Sequence, residues 1–241
     1  MRIGVKTYDD EEFIEHFKDK VDFIEVMSFI DQKLILNKEI VIHCKHNRFG
    51  INPADKNREK ENIDELKNAI SLANICNSKK IIFHPGFVEN ENCSKEQAIK
   101  VIKELEDKRI IIENLPKMNN FEKFCSTPEE TKEFMEKTGK GLCFDINHAI
   151  SAAFQENLDP YIFIEDFLKL NPIHIHLGGQ TLPEDKTHIA LTESNIDSKK
   201  IISLLPDESE ICLEVTQDIK KTEEDIKLLD SIWQETHQKS A

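Results

Sequence analysis

Asp145 and His148 stand three residues apart in Leu142-Cys143-Phe144-Asp145-Ile146-Asn147-His148-Ala149, where an apolar run gives out into a turn. A carboxylate oxygen and an imidazole nitrogen converging there would make half of a divalent metal site. The same pair also reads as an Asp capping the next helix with an unrelated His beside it. Similar residues recur along the chain. His43, His84, Glu113, Asp145, His176 and Glu214 each come at the end of a short β-branched run, and His188 lies in the loop after the His176 run. Of nine histidines, only His16 and His237 fall on helical stretches. The rest would gather at one place if the ends of those runs meet.

The runs that must bring them together cover residues 2–6, 23–27, 40–43, 80–84, 109–113, 142–145, 173–177 and 210–215. They are nearly continuous in apolar residues, as parallel strands covered on both faces are. Charged amphipathic stretches alternate with them. Over 62–76, Ile63, Leu66, Ala69, Ile70 and Ala73 share one helical face. Ser94 and Thr127 have the form of N-caps, the latter followed by Pro128 and two acids. Thr222 opens the last helix in the same style, and a short helix is expected between residues 31 and 38. No Asn-Gly or Asp-Gly turn joins two runs. Strand–helix alternation of this kind gives parallel sheets, and about eight units close a (β/α)8 TIM barrel. An open doubly wound sheet would want a glycine-rich phosphate loop, and the seven glycines form none. The reading is one α/β barrel domain over residues 1–241, its site at the carboxyl ends of the strands.

The two-residue period of a strand extends the reading one layer down. If the terminal acids and imidazoles point inward, so do Ile82, Ile111, Cys143, His174 and Cys212, and the two cysteines become small core residues. His174 is left between hydrogen bonding in support of a ligand and ligation itself. Glu25 lies inside an apolar strand, where an unpaired acid is costly, so a site role or a buried salt bridge is expected. Asp185, three residues before His188, is a ligand or a turn residue. His46 and Arg48 follow the third run and are candidates for substrate contact. Trp233 packs on the last helix.

Composition narrows the partners. The formal charge of −14, with 32% charged and 39% hydrophobic residues, allows a sizeable core but opposes broad electrostatic capture of nucleic acid. Divalent cations could reverse the field inside a cleft. Six cysteines without C-x-x-C spacing, the absence of a signal-like start and the absence of a membrane-length apolar run point to a reduced, cytoplasmic protein. No membrane and no obligate protein partner are implied.

The ordered motifs resemble the endonuclease IV branch (AP endonuclease family 2) of the xylose isomerase-like TIM barrels. They are His43-Cys44-Lys45-His46, Phe83-His84-Pro85-Gly86, Ile112-Glu113-Asn114, Phe144-Asp145-Ile146-Asn147-His148-Ala149, His176-Leu177, His188 through Ser194, and Leu213-Glu214-Val215-Thr216. The resemblance implies a trinuclear zinc cluster. Glu113 would bridge two ions, with His43 and His84 at one and Asp145 and Glu214 at the next, while His148, His176 and His188 would serve the outer ions. It implies cleavage of the phosphodiester 5′ to an abasic site in DNA, one cation acidifying the attacking water and another stabilising the leaving oxygen. Lys186 stands where that family has an Asp two residues before the last His, Gly178-Gly179 replaces its Asn-Asp, and Ile3-Gly4-Val5-Lys6-Thr7-Tyr8 lacks its first-strand His and glycine turn.

The isomerase and epimerase branch is the competing reading. Its smaller set matches Glu113, Asp145, His176 and Glu214, and Glu25 resembles its strand-two acid. One manganese-like ion would hold sugar or sugar-phosphate oxygens while acids move a proton. A phosphodiesterase uses the further His43, His84, His148 and His188, with two or three zinc ions and with Glu113 and Glu214 at the chemistry. A barrel that binds metal without catalysis is the third possibility.

Overall fold

Strands with apolar residues on both faces have no side to turn to water, and here they close on themselves. The computed structural model describes residues 1–31, 38–117 and 122–237. The barrel strands, all parallel, begin with β1 (Arg2–Thr7), β2 (Phe23–Met27), β3 (Glu39–His43) and β4 (Ile81–Phe83). They continue with β5 (Ile110–Glu113), β6 (Gly141–Asp145) and β7 (His174–Leu177). A small hairpin of β8 (Gly179–Thr181) and β9 (Lys186–Ile189) then stands outside the ring, which β10 (Glu210–Leu213) completes. β1 pairs with both β2 and β10, which closes the barrel. Around it lie α1 (Glu11–Phe17), α2 (Glu59–Ile75), α3 (Lys95–Lys103), α4 (Pro128–Thr138), α5 (Ile146–Gln155), α6 (Pro160–Leu168), α7 (Ser198–Leu204) and α8 (Ile219–His237). The helix expected between 31 and 38 falls on residues outside those described.

Two apolar layers result. The larger lies between strands and helices and includes Phe13, Phe17, Phe83, Phe134, Phe144 and Phe167. The smaller fills the barrel: Phe23, Val41, Ile82, Ile111, Cys143 and Cys212. The two-residue period therefore carries the inward side chains as expected. Burial pushes the Cys143 thiol up to about 12 and raises Cys212 as well, as suits thiols held in a core. Gly4 is required here: a Cβ on it would lie 2.2 Å from the Phe23 ring, which takes the vacant space.

Three local features differ from the sequence reading. β4 and β10 stop at Phe83 and Leu213, so His84 and Glu214 sit one residue past their strands. The last helix begins before Thr222, because Asp218 supplies the cap, its carboxylate accepting from Lys221 N at 3.0 Å. Thr222 is buried within the helix instead. The connection after β7 is the antiparallel pair of β8 with β9, which places His188 on a strand, not in a loop. Ser94 and Thr127 do cap α3 and α4, accepting from Gln97 N and Glu130 N.

Candidate metal centre

Glu113 ends β5 at the barrel axis, and its two oxygens face different neighbours. Oε2 lies 3.0 Å from His43 Nε2 and 3.2 Å from His84 Nε2, while Oε1 lies 3.2 Å from His148 Nδ1. Burial pushes this carboxyl up, but the imidazoles around it, His84, His176, His148 and His43, hold it well below the usual range. Asp145 serves as cap and site at once. Its Oδ1 accepts from His148 N at 2.7 Å to start α5, and its Oδ2 is buried without a hydrogen-bond partner. Both sequence readings of Asp145 thus describe different oxygens of one carboxylate. Asn114 locks the strand ends together, accepting from Asp145 N at 2.7 Å and donating to Asp145 O at 2.9 Å.

Among the described residues five groups of ligand-type atoms lie within 4.8 Å, and three of them overlap at the rim: His43, His84 and Glu113; Glu113, Asp145, His176 and Glu214; and Asp145, His148 and His188. His176, which the resemblance assigned to the outer ions without saying which, groups with Glu113, Asp145 and Glu214. Its Nδ1 is 2.8 Å from Glu214 Oε2, 3.7 Å from Glu113 Oε2 and 3.8 Å from Asp145 Oδ2. His188 adopts φ 56°, a left-handed conformation that costs an L residue about 1 kcal/mol or more and concentrates at functional sites. Its ring stands edge-on to His148, with centroids 5.4 Å apart.

These residues fit divalent cations on two counts. Asp145 Oδ2 is buried with no hydrogen-bond partner among the described residues, and His176 Nδ1 and Glu214 Oε2, 2.8 Å apart, converge on the same point. A buried orphan of that kind costs about 1–3 kcal/mol unless something fills the point it faces. The second count is His43. Its Nδ1 lies 2.8 Å from the Cys44 carbonyl, which can only accept, so in the neutral ring the lone pair on Nε2 faces Glu113 Oε2. Two lone pairs at that separation need a positive charge to bridge them, which a metal ion or the proton of an imidazolium supplies. Imidazole and carboxylate donors suit zinc or manganese.

Burial, stacking and neighbouring charges set the state of the side chains in and around these groups. His46 stacks on His84, with centroids 4.6 Å apart, and burial together with His84 and His43 lowers its pKa to about 2, so it stays neutral. Burial lowers His84 to about 4 against the pull of Glu113, while His148 is raised because Asp145 and Glu113 outweigh its burial. Asp185 lines the cleft, but its Oδ1 accepts from Ser151 Oγ at 2.7 Å and Gln180 Nε2 at 2.6 Å. Arg48 is exposed at the cleft wall. Lys6 is the residue the sequence reading missed. Its Nζ is buried 2.9 Å from Glu214 Oε1 and 3.4 Å from Glu25 Oε1. A lysine inside an apolar strand, two residues after the inward-facing Gly4, was the available signal. Gly178 lets the end of β7 approach, since a Cβ there would meet Glu214 O at 2.6 Å.

A cleft of about 680 Å³ opens above these groups, with Lys6, Arg48, Lys117 and Lys123 among its walls. Burial lowers the Lys123 ammonium, with Glu113 pulling the other way and Arg48 adding to the fall. Among the described residues no carboxylate pairs with Lys123.

A closed parallel barrel with its titratable side chains at one rim is the architecture of the TIM barrels. Within that class the chain belongs to the xylose isomerase-like TIM barrel family, whose model matches residues 10–232. An uncharacterised protein of Methanocaldococcus jannaschii is 27% identical over 186 residues, 69% of this chain and 60% of that protein's length. Among solved structures, a D-tagatose 3-epimerase-like protein superposes with a TM-score of 0.77 at 21% identity, covering 100% of each chain. Endonuclease IV from Thermus thermophilus gives 0.75 at 15% identity, covering 98% of this chain and 100% of its own. A further protein of that organism, from crystals soaked with ZnCl2, gives 0.68 at 15% identity over 98% and 99%. At these identities the likeness establishes the fold. Among the described residues, no helix is long and apolar enough to cross a membrane.

Proposed function

We propose that this protein is a multinuclear metal-dependent phosphodiesterase of the endonuclease IV kind, acting on DNA with an abasic site. The observation that carries this reading is that three groups of ligand-type atoms are linked by shared carboxylates: Glu113 joins His43 and His84 to Asp145, His176 and Glu214, and Asp145 joins these to His148 and His188. A single ion needs no such linkage. The eight residues His43, His84, Glu113, Asp145, His148, His176, His188 and Glu214 would hold two or three ions, zinc before manganese. Divalent ions there would supply Lewis acidity, lowering the pKa of water and offsetting charge on the leaving oxygen.

The chain's own groups do the rest. Glu113 is buried and fixed, while the Glu214 side chain is 18% exposed toward the cleft. Burial raises the Glu214 carboxyl, but Lys6, His176 and His188 keep it well below the usual range, so it stands ionised at the reacting point. Lys123 and Arg48 line the cleft and suit an anion, while Lys6 pairs with Glu25 and Glu214 and Lys117 with Glu156. This local field runs against the overall charge of −14, and bound cations would add to it.

A second reading, a metal-dependent sugar or sugar-phosphate epimerase, draws on the compact group Glu113, Asp145, His176 and Glu214, which alone would hold one ion. The test is incubation of the metal-loaded protein with a duplex carrying an abasic-site analogue. The expected result is cleavage on the 5′ side that a chelator abolishes. An intact duplex alongside epimerisation of a ketose would favour the second reading.

A further inference from the structure

Two ring nitrogens approach one carboxylate oxygen inside the barrel. His174 Nε2 lies 3.0 Å and His176 Nε2 2.9 Å from Glu25 Oε2, and all three side chains are fully buried. A carboxylate only accepts, so both nitrogens must carry hydrogen. Lys6 Nζ, 3.4 Å from Glu25 Oε1, sets a positive charge beside the same carboxylate. Donation from Nε2 leaves Nδ1 as the lone-pair nitrogen of a neutral His176. That atom is buried and turned toward Glu214 Oε2 at 2.8 Å, with Glu113 Oε2 and Asp145 Oδ2 at 3.7 and 3.8 Å.

We propose that Glu25 is a positioning residue: it fixes the His176 tautomer and ring so that Nδ1 faces the cation held with Glu113, Asp145 and Glu214. This rests on the metal reading of that group and is independent of the reaction catalysed there. The carboxylate is kept from turning by a chain of contacts that runs down the barrel. His174 Nδ1 lies 2.8 Å from Glu210 Oε1, and Glu210 is paired with Lys80 and, at 2.5 Å, with Arg2, which also holds Glu39 at 2.6 Å. On the upper side Glu25 Oε1 faces Lys6, whose ammonium also reaches Glu214. One acid inside the barrel therefore orients two neighbours of the same cation point, His176 directly and Glu214 through Lys6. A carboxylate behind a ligating imidazole raises its basicity and sets its orientation, and loss of such a partner lowers metal affinity about 10- to 100-fold.

Glu25, His174, His176 and Cys212 also lie close enough together to hold an ion themselves, with Glu25 as a ligand. The experiment separates the two arrangements. In the full chain labelled with ¹⁵N-histidine and loaded with zinc, long-range ¹H–¹⁵N correlation should show His176 metallated at Nδ1 and protonated at Nε2. Glu25→Gln presents an amide N–H to one of the two rings and should weaken zinc binding about 10- to 100-fold in chelator competition. Zinc at His176 Nε2, or unchanged affinity in Glu25→Gln, would overturn the proposal. So would a thiolate charge-transfer band from Cys212 in the cobalt-substituted protein. The NMR measurement needs no variant, so it decides the matter even if Glu25→Gln does not fold. Failure of the wild-type protein to bind zinc at all would remove the metal centre as well, whereas loss of phosphodiesterase activity alone would leave the positioning role intact.

Discussion

At the scale of single residues, the arrangement turns on a buried carboxylate oxygen, Asp145 Oδ2, with no hydrogen-bond partner among the described residues. Asp145 Oδ2, His176 Nδ1 and Glu214 Oε2 meet beside Glu113, and His148 and His188 flank Asp145. His148→Ala removes an imidazole from the third group while leaving its backbone N–H to be capped by Asp145. It should lose one bound ion by elemental analysis and slow phosphodiester cleavage by about a thousandfold, the equivalent of roughly 4 kcal/mol. Unchanged metal content would show that His148 is no ligand. Much of this group was legible in the sequence, because an acid or imidazole ending an apolar run marks itself. The division of labour was not. Whether His176 groups with Glu214 or with His188 depends on how strands far apart in sequence pair, and β7 pairs with β10. Lys6 went unread because its value comes from Glu25 and Glu214, which lie on other strands.

At the scale of elements, the barrel is held by what fits inside it. Gly4→Ala would drive a methyl group into the Phe23 ring, and the strands on either side leave that ring little room. Overpacking of this kind costs about 2–3 kcal/mol, to be read as a lower midpoint in denaturant, and adding Phe23→Leu should recover part of it. The opposite end of the barrel makes a pH prediction. Burial raises the Glu210 carboxyl, but hydrogen bonds from His174 and Lys80 bring it down to about 2. A carboxyl depressed in the folded state stabilises above its ordinary pKa of about 4.5, and that stability is lost as pH falls toward the folded value. Glu210→Gln should therefore cost about 2 kcal/mol at neutral pH, less than a fully buried pair because Arg2 is partly exposed, and the gap from wild type should close between about pH 4.5 and 2. A gap independent of pH would contradict this. The strand–helix alternation was readable because doubly covered strands are apolar throughout. The β8–β9 hairpin was hidden: its strands are three and four residues long, and its turn carries Asp185 at φ 53° with no glycine.

At the scale of the whole molecule, the chain carries a formal charge of −14 and brings the carboxylates of Glu113, Asp145 and Glu214 together at one rim, which is where added divalent ions would do most to stabilise it. Ions that bind only the folded state stabilise it by mass action, about 4 kcal/mol per site at a thousandfold excess over Kd. Chelation should thus lower the melting temperature on the order of 10 °C for a chain of this size, and zinc should restore it. The central claim is that side chains from distant strands form a bridged cluster of ions, and counting the ions tests it most directly. Elemental analysis of protein purified without added metal should find two or three zinc-type ions per chain. A single ion with octahedral oxygen coordination, or none, would contradict the account.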